Sequence, residues 1–275
     1  METTAFWNDS KLFEQAMRAG RTDDARRLLY RMTQAYGQMT DNDLTANKTI
    51  IHHALALDKV IAGFNLAYFV PHAMRLADSD WSGMRHDGRV VPSLGQRITN
   101  RLMAGIGDRS DTYIKAVMPF FRKALQMNPS NKDNLRHLAQ LYTRVKLKAQ
   151  AIALYKRLLQ RYDDSYLYAE LAGLVDEPRI KVALLCQAIA RQPREAYNMG
   201  NRYRLALLLQ HPEPKRAAFE IRKSMAARQK AQQPIPADVD RISRILADYE
   251  PVSEADEQAY YQRMQPLAQA VIRQE

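Results

Sequence analysis

The sequence has little of what disulfide-bonded or metal-binding proteins need. Its single cysteine, Cys186, cannot form an internal disulfide, which fits a reducing compartment, and we predict a cytoplasmic location. Cys186 falls on the inner face of a predicted helix and is interpreted as a small core residue. His52 and His53 are neighbours, so on a helix they point about 100° apart and cannot chelate one ion. No metal site is predicted.

Long apolar runs are also missing. The first residues have neither a basic region nor an apolar region of the secretory type. The longest apolar stretch, 60–70, is interrupted by Asn65 and closed by Pro71, and it is too short to cross a bilayer. We therefore expect no secretory signal and no membrane partner.

Glycine is sparse, at 10 residues, and alternating runs of β-branched residues are absent. The chain is instead rich in the helix formers Ala, Leu, Arg, Gln and Met, and 46% of it is hydrophobic. It contains no glycine-rich phosphate loop, and its potentially catalytic residues follow no known arrangement. The sequence predicts a helical protein without a cofactor and without catalytic residues.

An internal repeat predicts how the helices are arranged. Segments 121–129 and 155–163 superimpose without a gap at a shift of 34 residues. Both read as an aromatic residue, two polar, two apolar, and then a helix stop. The Leu-Ala dyads of 138–139, 171–172 and 205–206 recur at nearly the same spacing. A period of this length is typical of stacked helix–turn–helix units.

Segment 132–165 resembles a tetratricopeptide repeat (TPR). The residues at the family's packing positions are Leu138, Ala139, Tyr142, Ala151, Tyr155, Leu158 and Leu159. The resemblance implies an all-α fold, a right-handed α–α superhelix of the TPR-like solenoid type. It also implies close helix approach at Ala139 and Ala151. Lys146 stands where the family prefers glycine in the turn between the helices.

The repeats suggest one continuous solenoid with four parts. Helical pairs are predicted over 1–77, an irregular loop over 78–94, TPR-like repeats over 95–230 and capping helices over 231–275. In the first part, Ser10 is predicted to cap a helix that ends at Gly20. A helix over 59–77, kinked by Pro71, is expected to close that part.

A second resemblance covers residues 163–248. It concerns the helical-repeat region of bacterial conflict-system proteins of the TOTE type, and it is carried by 168–176, 183–189, 204–209, 217–223, 227–228 and 234–236. In that family the repeats usually precede a small nucleic-acid-binding barrel. No β-rich segment of that kind is predicted in this chain.

Positive charge is concentrated in the middle of the chain. The net charge is +11, and residues 97–161 alone hold 14 basic and 3 acidic side chains. Such an excess favours an acidic partner. The TPR resemblance implies a groove lined by the first helix of each pair, and the predicted partner-binding residues are Arg136, Gln140, Thr143, Arg144 and Tyr203.

Three functions remain open at this point. The leading hypothesis is a non-catalytic scaffold, or adaptor, that binds an acidic or extended segment of a protein partner in a bacterial defence system. The alternative is a nucleic-acid-binding module that uses the basic middle repeats. An enzyme built around Asp80, His86 and Asp87 of the 78–94 loop is the third.

Overall fold

The computed structural model describes residues 2–39, 43–86 and 89–273, and within these ranges the fold is all-α, as predicted. The chain divides into two compact units, Met1–Val145 and Lys146–Glu275. The boundary falls inside segment 132–165, at the turn where Lys146 was noted. The division of the chain into four parts stays a prediction.

The first unit contains seven helices and a short hairpin in the described ranges. The helices are α1 (Glu2–Arg18), α2 (Thr22–Gly37), α3 (Leu44–Val60), α4 (Val70–Ala73), α5 (Leu94–Ala104), α6 (Asp111–Met127) and α7 (Lys132–Arg144); the strands are β1 (Met84–His86) and β2 (Arg89–Val91). Gly20 follows the end of α1 in a left-handed conformation, with φ +70°. The Arg21 N–H donates to the Ala16 carbonyl of α1 at 2.9 Å. Gly20 therefore acts as the predicted helix stop.

The predicted cap at Ser10 is wrong, because α1 begins eight residues earlier in the chain, at Glu2. Ser10 is buried within α1, and its hydroxyl is hydrogen-bonded to His53 Nε2 at 3.0 Å. The His53 ring stacks on Phe13 at 3.9 Å, and burial lowers the pKa of His53 to about 4. Ser10 therefore provides a hydrogen bond to a buried, neutral histidine and does not cap a helix.

The predicted helix over 59–77 is also wrong. After α3 the backbone extends at Ile61 and turns at Gly63, whose φ of +74° suits glycine. A 3₁₀ turn, Leu66–Phe69, and the short α4 follow. Pro71 lies in the first turn of α4, where its missing N–H is harmless, so it starts a helix and does not kink one.

Segment 78–94, expected to be irregular, contains regular structure. It begins with a 3₁₀ turn, Asp78–Trp81, and continues in an antiparallel hairpin in which Met84 pairs with Val91. Trp81 is 2% exposed and packs over Gly95 at the start of α5. Asp80 forms an ion pair with Lys48. Asp87 lies outside the described residues, and so does the side chain of His86.

The second unit consists of helices joined by short connections. They are α8 (Lys148–Leu159), α9 (Ser165–Ala172), α10 (Pro178–Ala190), α11 (Glu195–Leu209), α12 (Pro214–Lys230), α13 (Ala237–Ile245) and α14 (Glu254–Arg273). Helices α9 and α10 pack as one pair and α11 and α12 as the next, while α14 lies along α10. The dyads at 171–172 and 205–206 are buried, and so is Cys186, as predicted. No described helix is both long enough and apolar enough to span a membrane.

We expect Ala139→Leu and Ala151→Leu each to lower the free energy of unfolding by about 1–3 kcal/mol, because extra methyl groups overpack a filled core. Both alanines are fully buried, one in α7 and the other in α8. Urea denaturation followed by circular dichroism measures the change. Unchanged midpoints for both variants would contradict the packing positions assigned to these alanines.

Lys146→Gly supplies the matched control. Lys146 has φ +62°, a left-handed conformation that glycine adopts without strain. Relief of that strain opposes the larger entropy of glycine in the unfolded chain, so the free energy of unfolding should change by less than about 1 kcal/mol.

Candidate functional site

Four of the five predicted binding residues lie on α7. Its apolar face buries Leu135, Leu138, Ala139 and Leu141. Arg136, Gln140, Thr143 and Arg144 recur at three- and four-residue spacing on the other side, so a helix brings them to one face. Thr143 and Arg144 are exposed, whereas Arg136 and Gln140 are half-buried and already interact within the chain.

Two of these residues, Gln140 and Arg144, line a cleft of about 330 Å³ in the first unit. Its other walls are the mainly apolar Met103, Ile106, Gly107 and Leu141. Arg144 Nη2 donates to the Gly107 carbonyl at 3.0 Å, which holds the guanidinium at the edge of the cleft. Among the described residues, no carboxylate pairs with Arg144. We call this cleft the Arg144 cleft.

Thr143 uses its hydroxyl proton within α7. Its hydroxyl donates to the Ala139 carbonyl at 2.9 Å, within its own helix. That bond is a common way for a mid-helix threonine to satisfy its hydroxyl, and it uses the only proton that Thr143 can donate.

Tyr203, the fifth predicted residue, lies in the second unit, on α11. It is half-buried, and the Asp238 carboxylate of α13 lies near its hydroxyl. Desolvation and this carboxylate both raise the pKa of Tyr203. Its hydroxyl is thus adjacent to α13 within the second unit.

The neighbouring Arg204 is not among the residues predicted from the sequence. This residue lines a cleft of about 260 Å³ in the second unit, the Arg204 cleft, with Ala172, Gly173, Lys181, Leu185, Leu207 and Leu208. Arg204 Nη1 donates to the Ala169 carbonyl at 3.1 Å. No acidic side chain pairs with Arg204 in the described part of the chain, and desolvation lowers the pKa of its guanidinium.

A sequence signal for this cleft does exist. Tyr197, Asn201, Arg204 and Leu208 follow one another at three- and four-residue spacing, and none of them is buried. A partly apolar stripe with one arginine, opposite the buried Leu205-Ala206 dyad, marks a helix face that no other element covers.

Part of the positive charge in 97–161 is used inside the first unit. Arg101 pairs with Asp58, and Arg109 lies over the Tyr113 ring at 4.8 Å. Arg122 donates to the Tyr142 hydroxyl at 3.1 Å, and Lys123 donates to the Met74 carbonyl at 2.6 Å. These cations therefore hold helices together as well as adding to the surface charge.

Two of the groups considered for catalysis or metal binding, Asp80 and His53, have structural partners. Asp80 is bound by Lys48, and His53 is bound by Ser10. Burial also lowers the pKa of His72 to about 4, and its Nδ1 is hydrogen-bonded to Asn47 at 3.0 Å. The described residues include no group of three or more His, Cys, Asp or Glu placed to hold a metal ion.

One family model matches part of this chain. The model of a domain of unknown function, DUF7017, matches residues 137–268. No curated protein matches the sequence. Among solved structures, the crystal structure of MamA protein is similar, with a TM-score of 0.41 and 20% sequence identity over 62% of this chain and 92% of that one. The DUF7017 match includes Gln140, Arg144, Tyr203 and Arg204.

Proposed function

We propose that this chain is a non-catalytic helical-repeat scaffold that binds an acidic, extended segment of a partner protein. One observation carries the proposal. Each unit has an arginine that is fixed by a backbone carbonyl at the edge of a mainly apolar cleft, and the described residues offer neither arginine a carboxylate.

The chemistry of these clefts selects the ligand. A guanidinium has five N–H donors, and Arg144 and Arg204 each use one of them on a carbonyl. The remaining donors suit the two oxygens of an aspartate or glutamate side chain. The leucines and Met103 beside them suit an apolar side chain of the same segment. A peptide that alternates acidic and apolar residues satisfies both requirements.

The nucleic-acid alternative receives less support. Binding to a phosphate backbone needs a series of free cations that displace the counterions condensed on the nucleic acid. In 97–161, Arg101 is instead neutralised by Asp58, and Arg109, Arg122 and Lys123 contact neutral groups within the first unit. The resemblance to TOTE-type proteins is our reason to extend the proposal to a bacterial defence system.

The test measures binding of a fluorescent Glu-Leu repeat peptide to Arg144→Gln and Arg204→Gln variants. Loss of a charge-assisted contact at an interface should weaken binding by about tenfold in each variant, which is about 1.4 kcal/mol. The Arg144→Gln variant should keep the wild-type melting temperature, since Arg144 is exposed. Fluorescence anisotropy at 50 and 200 mM salt gives the dissociation constants.

Two exposed arginines supply matched controls. Arg18 is 81% exposed and Arg179 is also exposed, so Arg18→Gln and Arg179→Gln remove the same charge from each unit outside the clefts. They should leave the affinity unchanged. Equal effects of all four substitutions would contradict the proposed clefts. Tighter binding of a DNA oligonucleotide, with a steep salt dependence, would instead support the nucleic-acid alternative.

A further inference from the structure

The second unit contains a buried cluster of charged residues that the proposed function does not use. Arg202 of α11 is 2% exposed, and Glu220 of α12 and Glu257 of α14 are fully buried. Arg216 and Glu213 at the start of α12, Glu195 of α11 and Tyr261 of α14 complete it. We call it the Arg202 cluster. Charges with so little access to water persist only when they are paired and hydrogen-bonded.

Most polar atoms of the cluster have a partner. Arg202 binds both oxygens of Glu195, at 2.7 and 2.8 Å, and donates to Glu220 Oε2 at 2.7 Å. The Tyr261 hydroxyl donates to the other oxygen of Glu220. Arg216 donates to Glu213 and to Glu257 Oε2, both at 2.7 Å.

One oxygen is different. Glu257 Oε1 is buried and has no donor among the described residues, yet the carboxyl groups of Glu257 and Glu220 are in hydrogen-bond contact. Two ionised carboxylates cannot form that bond, because neither has a proton to donate. Both oxygens of Glu220 already accept bonds from cationic or hydroxyl donors. The missing proton therefore belongs on Glu257 Oε1, from which it is donated to Glu220.

The charge count agrees with this placement. Four glutamates face two arginines, so the cluster carries a charge of −2 when all are ionised and −1 when Glu257 is protonated. Burial, and then the charge of Glu220, raise the pKa of Glu257 to about 7, while Arg216 opposes the shift. Burial also raises the pKa of Glu220, against the attraction of Arg202.

The proton joins two helices. Glu220 belongs to α12 and Glu257 to α14, which also covers α10. Gln187 of α10 donates to the Tyr261 carbonyl at 2.8 Å, and α14 buries Tyr260, Ala268, Val271 and Ile272. We propose that the proton shared by Glu220 and Glu257 is a latch that holds α14 against the unit, and that its loss lets α14 open.

The direction in which pH shifts the balance between the closed and the open state follows from proton linkage. In the open state Glu257 is solvated and regains its ordinary pKa of 4.5, below its value in the closed state. The closed state therefore binds the proton more tightly, and its advantage is complete below about pH 4.5. This advantage decreases as the pH rises and is lost above about pH 7.

Other titratable groups around the pair do not reverse this direction. On α14 these are Tyr260 and Tyr261, whose pKa values burial raises, and Glu254, which pairs with Lys223 of α12. On α10 the group is Cys186, whose thiol pKa is raised by burial and then by Glu220 and Glu257. Glu195 and Arg202 face the pair from α11, and Glu213 and Arg216 face it from the start of α12.

Cys186 provides the experiment, because it is the single cysteine of the chain and is fully buried beside these groups. The probe is methyl methanethiosulfonate, and the rate of Cys186 labelling is measured for the wild type and for Glu257→Gln. Glutamine resembles the protonated glutamate, so opening of this variant should not depend on pH. The ratio of the two rates cancels the pH dependence of the thiol itself. It should rise roughly twenty-fold from pH 5.5 to pH 7.5.

Controls separate opening from global unfolding. Both tryptophans, Trp7 and Trp81, belong to the first unit, so their emission should stay constant over this pH range. Glu220→Gln weakens the bond to Arg202 and should raise labelling at every pH. A rate ratio that stays constant between pH 5.5 and 7.5 would overturn the latch.

A measurement on the wild type does not depend on whether the Glu257→Gln variant folds. In carbon-13 spectra of glutamate-labelled protein, one carboxyl group should titrate near pH 7. Titration of every glutamate below pH 5.5 would also overturn the proposal. Neither result depends on the binding of a partner segment.

Discussion

Arg202→Ala is expected to lower the free energy of unfolding of the second unit by about 3–5 kcal/mol, because removal of one partner leaves a buried charge uncompensated. Glu220 is fully buried, and without Arg202 its Oε2 loses a 2.7 Å bond from a cation. Glu195 loses both of its bonds to the same guanidinium. Urea denaturation followed by far-ultraviolet circular dichroism measures the loss.

A matched control and a double variant test whether this loss comes from the buried charge. Arg18→Ala removes a guanidinium that is 81% exposed, and we expect a change of less than about 0.5 kcal/mol. Arg202→Met with Glu220→Gln removes both charges and should destabilise less than the sum of the two single substitutions. Arg202→Ala with wild-type stability would show that the cluster contributes nothing to folding.

The sequence could not predict the Arg202 cluster. In the run Asn201-Arg202-Tyr203-Arg204, nothing local distinguishes the buried Arg202 from the half-buried Arg204. The buried partners of Arg202 are Glu220, 18 residues away, and Tyr261, 59 residues away. Only the packing of α12 and α14 brings them together, and helical periodicity contains no information on that packing.

The parts that the sequence did predict depend on local signals. The Leu-Ala dyads and the 34-residue period place apolar residues on one face of each helix, and those dyads are buried. Gly20 ends α1 because glycine tolerates φ +70°. Gly63 has the same property at φ +74°, but its effect was missed because the apolar stretch around it resembles a helix.

The candidate site was predicted in part for the same reason. The spacing of Gln140 and Arg144 places both on one face of α7, and they line one cleft. The bond that fixes Arg144 reaches the Gly107 carbonyl, 37 residues away, and depends on how α5 and α7 pack. The contribution of Arg204 could have been read from the stripe on α11.

Trp81→Ala is the other substitution with a large expected effect, about 3–5 kcal/mol in the free energy of unfolding of the first unit. Trp81 is 2% exposed, and its ring centroid lies 5.2 Å from that of Phe120. Its carbonyl accepts a bond from Asn128 at 2.9 Å, and Lys123 lies over the ring. The indole therefore attaches segment 78–94 to α5 and α6, and urea denaturation of the variant measures that attachment.

Substitution of Gly95 tests whether the Trp81 indole attaches segment 78–94 to α5. A Cβ added to Gly95 would lie 2.3 Å from the Trp81 ring, so Gly95→Ala in the wild type should destabilise by about 1–3 kcal/mol. In the Trp81→Ala background the obstacle is gone, and the same substitution should stabilise α5 by about 0.5–1 kcal/mol, since alanine is the better helix former. Gly200→Ala on α11 is the control, because a Cβ there meets nothing within 4 Å and should stabilise in either background. The effect of Gly95→Ala must therefore change sign with residue 81. A cost that is the same in both backgrounds would mean that the indole does not lie against Gly95.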